Sequence, residues 1–208
     1  MKKNKDFFPM AYQTADQVQV NRLYDEWAAS YDEELERNGY VTPQRCAVAF
    51  KKFVSIDQPV LDYGCGTGLS GRALLDAGYL NIQGTDINKK MLRVAKKKGI
   101  YKDLLSDKEL NSFLRKGRSF SNIIAVGVIS SGAGPASLLI KVLSMLDEGG
   151  LLCFSYNDHT LSDKSYLDTL EFIKKSGLAE QLFSGYGDHL LQSKVGSMVY
   201  VLRKVIKR

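Results

Sequence analysis

Apolar residues along the chain follow two rhythms. Val60-Leu61 and the stretch from Ile123 to Ile129 are short unbroken runs, the mark of strands covered on both faces. Leu69, Ala73, Leu74 and Ala77 recur instead at helical spacing, as do the aromatic residues Tyr24, Trp27 and Tyr31. These rhythms predict a helix over residues 16–35 capped by Thr14-Ala15-Asp16, and a second opened by Thr42-Pro43 with Ala47, Phe50 and Phe53 facing inward. Strands ending at Asp62 and Asp86 follow, then a weak third strand over residues 100–104 and a fourth over 120–126. A helix from Pro135 to Leu146 is stopped by Gly149-Gly150, and residues 151–156 form a fifth strand. A helix over 166–176 ends at Gly177, and strands over 178–186 and 197–203 close the chain. Residues 1–15 read as loosely ordered. Strands alternating with helices predict an α/β fold with a parallel, doubly wound sheet. The organisation expected is one domain over residues 1–208, a helical region (1–55) preceding a core (56–208).

The densest chemistry lies at the first strand's end, in Val60-Leu61-Asp62-Tyr63-Gly64-Cys65-Gly66-Thr67-Gly68. Glycines at alternate positions let the backbone turn sharply and let a ligand lie against the main chain. With the helix that follows they form the first half of a nucleotide-type βαβ unit. Asp86 ends the second strand, where a carboxylate can accept from both hydroxyls of a ribose. Gly66, Gly68 and Gly71 also satisfy the dinucleotide fingerprint, so a nicotinamide-dependent oxidoreductase competes. Asp62 argues against it, because a carboxylate beside the loop would repel a pyrophosphate and suits a ligand carrying an ammonium and a sulfonium. A catalytically silent nucleotide-binding module is the remaining alternative.

The glycine loop, the acid ending the second strand and a later Asp-Leu pair resemble those of class I S-adenosylmethionine-dependent methyltransferases. Residues 23–32, with Tyr24, Trp27, Ala28, Tyr31 and Asp32, are similar to the N-terminal helix of the small-molecule branch, and residues 200–204 to its last strand. The nearest subgroup is the Williams–Beuren-region methyltransferase-like proteins. The resemblance implies a mostly parallel, seven-stranded, Rossmann-like sheet with one antiparallel strand and N-terminal helices as a lid. It implies S-adenosyl-L-methionine as cofactor, with Gly64, Cys65, Gly66 and Gly68 beneath its methionine part and Asp62 beside them. Asp86 would hold the ribose, Ile87 and Met91 would pack on the adenine, and Asp103 with Leu104 would recognise the adenine amine. Gly127 and Val128 would offer carbonyls to the ammonium, and Tyr31 would close the pocket.

Composition narrows the setting. A chain of 208 residues, 44% hydrophobic and 25% charged, can bury a sizeable core. No apolar run is long enough to span a bilayer, and no signal peptide opens the chain, so a cytoplasmic protein without a membrane partner is expected. The three scattered cysteines do not suggest a disulfide framework. The net charge of +6 invites a nucleic-acid reading. However, the lysines around Met91, Leu92 and Ala95 form the polar face of an amphipathic helix, with no aromatic residues between them to stack on bases. Neither the Pro-Pro-Tyr motif of amine-methylating nucleic-acid enzymes nor the Pro-Cys pair of cytosine-carbon enzymes occurs, so a small-molecule acceptor is expected. Methyl transfer from a sulfonium depends on positioning, and a general base is needed only when the acceptor must lose a proton early. His159 and His189 are the candidate catalytic bases, and no metal site is expected.

Overall fold

The computed structural model describes Phe7, Met10 and residues 17–206. The cap expected at Thr14-Ala15-Asp16 lies outside these residues, as does most of the stretch expected to be loosely ordered. Seven strands, β1 (Val60–Tyr63), β2 (Ile82–Asp86), β3 (Asp103–Ser106), β4 (Phe120–Ala125), β5 (Leu146–Asn157), β6 (Ala179–Leu190) and β7 (Val195–Lys204), form one sheet. Their spatial order is β3-β2-β1-β4-β5-β7-β6. Neighbours from β3 through β5 pair in parallel, and β7 runs antiparallel to both β5 and β6. The sheet is therefore mixed, with β7 alone reversed.

Alternate strand residues enter two separate cores. Leu61, Tyr63, Ile123 and Ala125 pack with α6 (Asp107–Arg115), α7 (Leu138–Ser144) and α9 (Lys164–Lys175). Val60, Ile82, Ile124 and Cys153 pack with α3 (Thr42–Phe50) and α4 (Leu69–Asp76) on the other face. Burial on both faces accounts for the unbroken apolar runs, and the sheet is wound with helices on each side. Strand order reverses between β1 and β4, so their carboxyl ends open a crevice where ligands of such sheets bind.

Several sequence expectations need correction. The single helix over 16–35 is two, α1 (Gln17–Trp27) and α2 (Tyr31–Arg37), separated by a turn. In a straight helix Trp27 and Glu34 would stand about 10 Å apart along the axis. The break lets the buried Trp27 indole N–H donate to Glu34 Oε2 at 2.8 Å and brings the Trp27 and Tyr31 rings to 4.6 Å. Thr42 is not the cap of α3 but lies within it, its hydroxyl turned to β6 and β7. Phe53 lies past the end of α3, 37% exposed. The third strand is shifted: Ile100 is in the core and Tyr101 fills the space under Gly71 and Gly84, so pairing with β2 starts only at Asp103. Gly149-Gly150 falls inside β5, and residues 135–137 precede α7.

Two further elements complete the crevice: α5 (Lys89–Lys97), capped by Asn88, and the short α8 (Asp158–Ser162), capped by Asn157. Among the described residues no helix is long and apolar enough to cross a membrane, and no three potential metal ligands gather.

Candidate functional site

The glycine loop leaves β1 at Tyr63 and is pinned at once to β2. The amides of Gly64 and Cys65 both donate to the Thr85 carbonyl, at 2.8 and 2.9 Å. Gly64 has φ +70°, and a Cβ there would stand 2.4 Å from Val128 Cγ2. Glycine is thus what lets the segment after β4 close on the loop. Gly66, at φ +52°, has the opposite surroundings: nothing lies within 4 Å of where its Cβ would be. Its backbone faces open space, which suits a ligand lying against the main chain.

Asp86 sits beside that opening. Its Oδ2 accepts from the Gly66 amide at 2.8 Å and its Oδ1 from the Asn88 amide at 2.7 Å. Burial raises its pKa, while these amides hold it down. Each oxygen keeps a lone pair, enough for a pair of hydroxyls. Two clefts meet at Gly64, Asp86, Ile87 and Val128. Met91, 2% exposed, floors the first cleft, and Ile87, 56% exposed, stands at the rim of both.

The structure moves three of the expected ligand residues. Asp62 is buried beneath the loop and lines neither cleft. Its Oδ2 accepts from Ser70 Oγ and Tyr101 OH, each at 2.7 Å, while Oδ1 has no partner. Desolvation pushes its pKa up to about 6 against those two hydrogen bonds. Asp62 supports the loop from beneath and lines none of the clefts. Asp103 and Leu104 fall at the start of β3, opposite Gln83 and Gly84, and so at the far end of the sheet from the crevice. Asp103 there accepts from Gln83 Nε2 at 3.3 Å. The acid at the crevice end of β3 is Asp107, which lines the second cleft with Leu110. Sequence reasoning missed it, although Ser106 and Glu109 form a capping box that marks where β3 stops and α6 starts.

Gly68 is the N-cap of α4 at φ +96°, and buried Cys65 lines a smaller cleft with Thr67 and Tyr31. Gly127 and Val128 line the first cleft. The Gly127 amide donates to Ser155 Oγ, and its carbonyl accepts from Ser130 Oγ at 2.7 Å.

The N-terminal helices roof the crevice. Asn21, Tyr24 and Tyr31 line the first cleft, and neither Asn21 nor Tyr24 was singled out as a ligand residue. Burial and nearby Asp86 push the Tyr24 phenol up to about 12, so it is neutral. Thr67 Oγ1 donates to Asp32 Oδ1 at 2.6 Å, and Asp32 also pairs with Lys98 at 2.5 Å. Lys90 pairs with Asp25 at 3.4 Å. Acids of α1 and α2 thereby tie the roof to the glycine loop and to the two ends of α5.

A third cleft lies under the same roof, walled by Trp27, Tyr31, Tyr40, Ser131, Asn157 and His189. It meets the first cleft at Tyr24, Tyr31 and Gly127. His189 lies within β6 rather than in a loop, 5% exposed, with Nδ1 2.8 Å from Thr42 Oγ1. Burial lowers its pKa to about 4, with Asp158 opposing and Arg45 adding to the shift. A neutral imidazole this reluctant to take a proton is a weak general base. His159 is exposed on α8 and lines none of the three clefts. Neither histidine is therefore placed as a conventional base, and the acids lining the first two clefts are Asp86 and Asp107.

The family described as methyltransferase domain matches residues 61–152. Human methyltransferase-like protein 27 is 31% identical over 191 residues, covering 86% of this chain and 76% of that protein. Magnesium protoporphyrin IX methyltransferase from Synechocystis PCC 6803, solved with bound SAH, superposes with a TM-score of 0.64 at 15% identity over 96% of this chain and all of that one. A TehB-like SAM-dependent methyltransferase from Corynebacterium glutamicum gives 0.58 at 19% identity, over 87% and 97% of the two chains. Membership of this family sets the hydride-transfer alternative aside. With its glycine loop open at Gly66 and a carboxylate ending β2, the chain belongs to the class I S-adenosylmethionine-dependent methyltransferases.

Proposed function

We propose that this enzyme methylates a small molecule held in the third cleft, with S-adenosylmethionine in the crevice beside it. The observation that carries the reading is the roof: α1 and α2 cover the third cleft with Trp27 and Tyr31, whose rings stand 4.6 Å apart, above walls that include Tyr40 and His189. A cleft walled by aromatic rings under a roof suits a small, flat molecule.

The residues present fit the cofactor. Gly64 and Gly66 would lie under its methionine part, Asp86 would accept from the ribose hydroxyls, Met91 and Ile87 would pack on the adenine, and Asp107 would accept from the adenine amine. When bound, S-adenosylmethionine supplies a methyl group on a positively charged sulfur, open to a lone pair of the acceptor. The protein's own part is geometric. Tyr31 and Gly127, shared by both clefts, hold the reacting partners in line, and the roof excludes water. The roof acts as a lid, released and latched through Asp32 and Asp25. The lysines also argue against a nucleic-acid acceptor, because Lys90 and Lys98 of the α5 region are engaged by lid acids.

Calorimetry with S-adenosylhomocysteine and NAD, followed by a screen of small aromatic and carbonyl acceptors, tests the reading. The adenosyl ligand binds and NAD does not; methylation of RNA or protein in place of every small molecule tried would overturn the acceptor class.

A further inference from the structure

His189 is held in a hydrogen-bond relay whose polarity the structure determines. Arg45 Nη1 donates to Ser197 Oγ at 2.8 Å; a guanidinium can only donate, so Ser197 Oγ accepts. The same guanidinium also donates to the carbonyls of Gly185, Asp188 and Ser197, which fixes it in place. Ser197 is wholly buried, and its one remaining partner among the described residues is Thr42 Oγ1 at 3.0 Å. The Ser197 proton therefore goes to Thr42; the reverse direction would seal a hydroxyl proton in the interior without an acceptor. Thr42 must then give its own proton to His189 Nδ1, 2.8 Å away. Nδ1 is the acceptor, and the proton of the neutral ring sits on Nε2.

Nε2 has no hydrogen-bond partner among the described residues, yet it is not among their buried unpaired atoms. With Nδ1 turned to Thr42, Nε2 is the ring nitrogen left for the third cleft that His189 lines. Tyr40 stands edge-on to the ring at 5.1 Å, and the Val41 amide donates to the His189 carbonyl at 3.1 Å, so both ring and backbone are held.

We propose that His189 is a specificity-determining residue whose Nε2–H is a fixed donor in the third cleft, reading a lone-pair oxygen (carbonyl, carboxylate or phenolate) on the methyl acceptor. The inference rests on the reading that this cleft receives the acceptor. It also reverses the role expected of His189: the ring holds a proton out to the substrate and takes none from it.

The tautomer can be read without any substrate. The chain has two histidines, so a long-range proton–nitrogen spectrum of protein with ¹⁵N-labelled histidine shows two rings, and a His159→Gln variant assigns them. His189 should show a protonated Nε2 and a bare Nδ1 from pH 8 down to pH 5. Thr42→Val should mix the tautomers, and Thr42→Ser should restore the single form. A ring protonated on Nδ1, or an imidazolium at pH 6, overturns the relay. The second arm uses protein saturated with S-adenosylhomocysteine and three probes: benzoate, acetophenone and aniline. The Nε2 resonance should move with at least one of the two oxygen-bearing probes and stay in place with aniline. Movement with aniline alone, or silence with all three at millimolar concentration, overturns the oxygen reading. If S-adenosylhomocysteine itself fails to bind by calorimetry, the cofactor placement falls while the tautomer result stands, so the two failures are distinguishable.

Discussion

Asp86→Ala separates two functions that one carboxylate serves. In the free protein the side chain accepts from the amides of Gly66 and Asn88, at 2.8 and 2.7 Å. Losing an acceptor leaves a partly buried amide unsatisfied at a cost of about 1–3 kcal/mol each, and solvent access at the crevice puts both near the lower end. For a chain of this size each kcal/mol moves the melting temperature by roughly 2–4 °C. The ligand-free variant should therefore melt about 4–8 °C lower while remaining folded. Binding loses more. A charge-assisted hydrogen bond to each ribose hydroxyl contributes about 1.5–3 kcal/mol, and water recovers part of it when the carboxylate is absent. A net loss of about 3 kcal/mol corresponds to roughly a hundredfold weaker binding. Isothermal calorimetry with S-adenosylhomocysteine, at a temperature where both proteins are folded, reads this directly. A variant that melts lower but binds within threefold of wild type would refute the ribose assignment and leave Asp86 as a loop pin alone.

Other substitutions probe other parts of the site. Asp107→Ala should weaken S-adenosylhomocysteine binding about tenfold, as loss of one charge-assisted contact implies, while Asp103→Ala should leave calorimetric affinity unchanged; the opposite ranking would return the adenine contact to Asp103. Folding raises the Asp62 pKa from 3.8 to about 6, so its stabilising contribution is present below about pH 4 and lost as pH rises toward 6, on the order of 3 kcal/mol. Asp62→Asn can keep the Ser70 and Tyr101 hydrogen bonds on its one carbonyl oxygen. Its urea unfolding curve should thus be flatter over pH 4–7 than that of wild type, and parallel curves would exclude the buried charge. Asp32→Ala removes the Thr67 and Lys98 contacts together. Hydrogen exchange across residues 17–37 should become faster than in wild type and should slow on adding S-adenosylhomocysteine. Identical exchange in both proteins, with and without ligand, would show that the roof is not a lid. Tyr31→Ala should weaken binding without lowering the fold's cooperativity in the same melts.

Features carried by local chemistry could be read from the chain alone. The glycines at 64, 66 and 68 mark a sharp turn because other residues resist those backbone angles, and Asp86 is found by counting from them to the next strand's end. Unbroken apolar runs announced strands buried on two faces, and helical spacing placed α4 and α5. What the sequence could not supply is register, burial and proton position. Asp103 and Asp107 are both acids near a short strand; which one reaches the crevice depends on β3 pairing with β2 only from Asp103, after Tyr101 has been taken up beneath the glycines. Asp62 looks like a ligand residue in one dimension and becomes a buried support once Ser70 and Tyr101 fold around it. The tautomer inferred for His189 depends on Thr42 and Arg45 meeting Ser197 where α3 packs against β6 and β7, far from them along the chain. Turn chemistry and periodicity act over a few residues and survive in the sequence; hydrogen-bond polarity in a buried network is a property of partners that only the closed fold brings together.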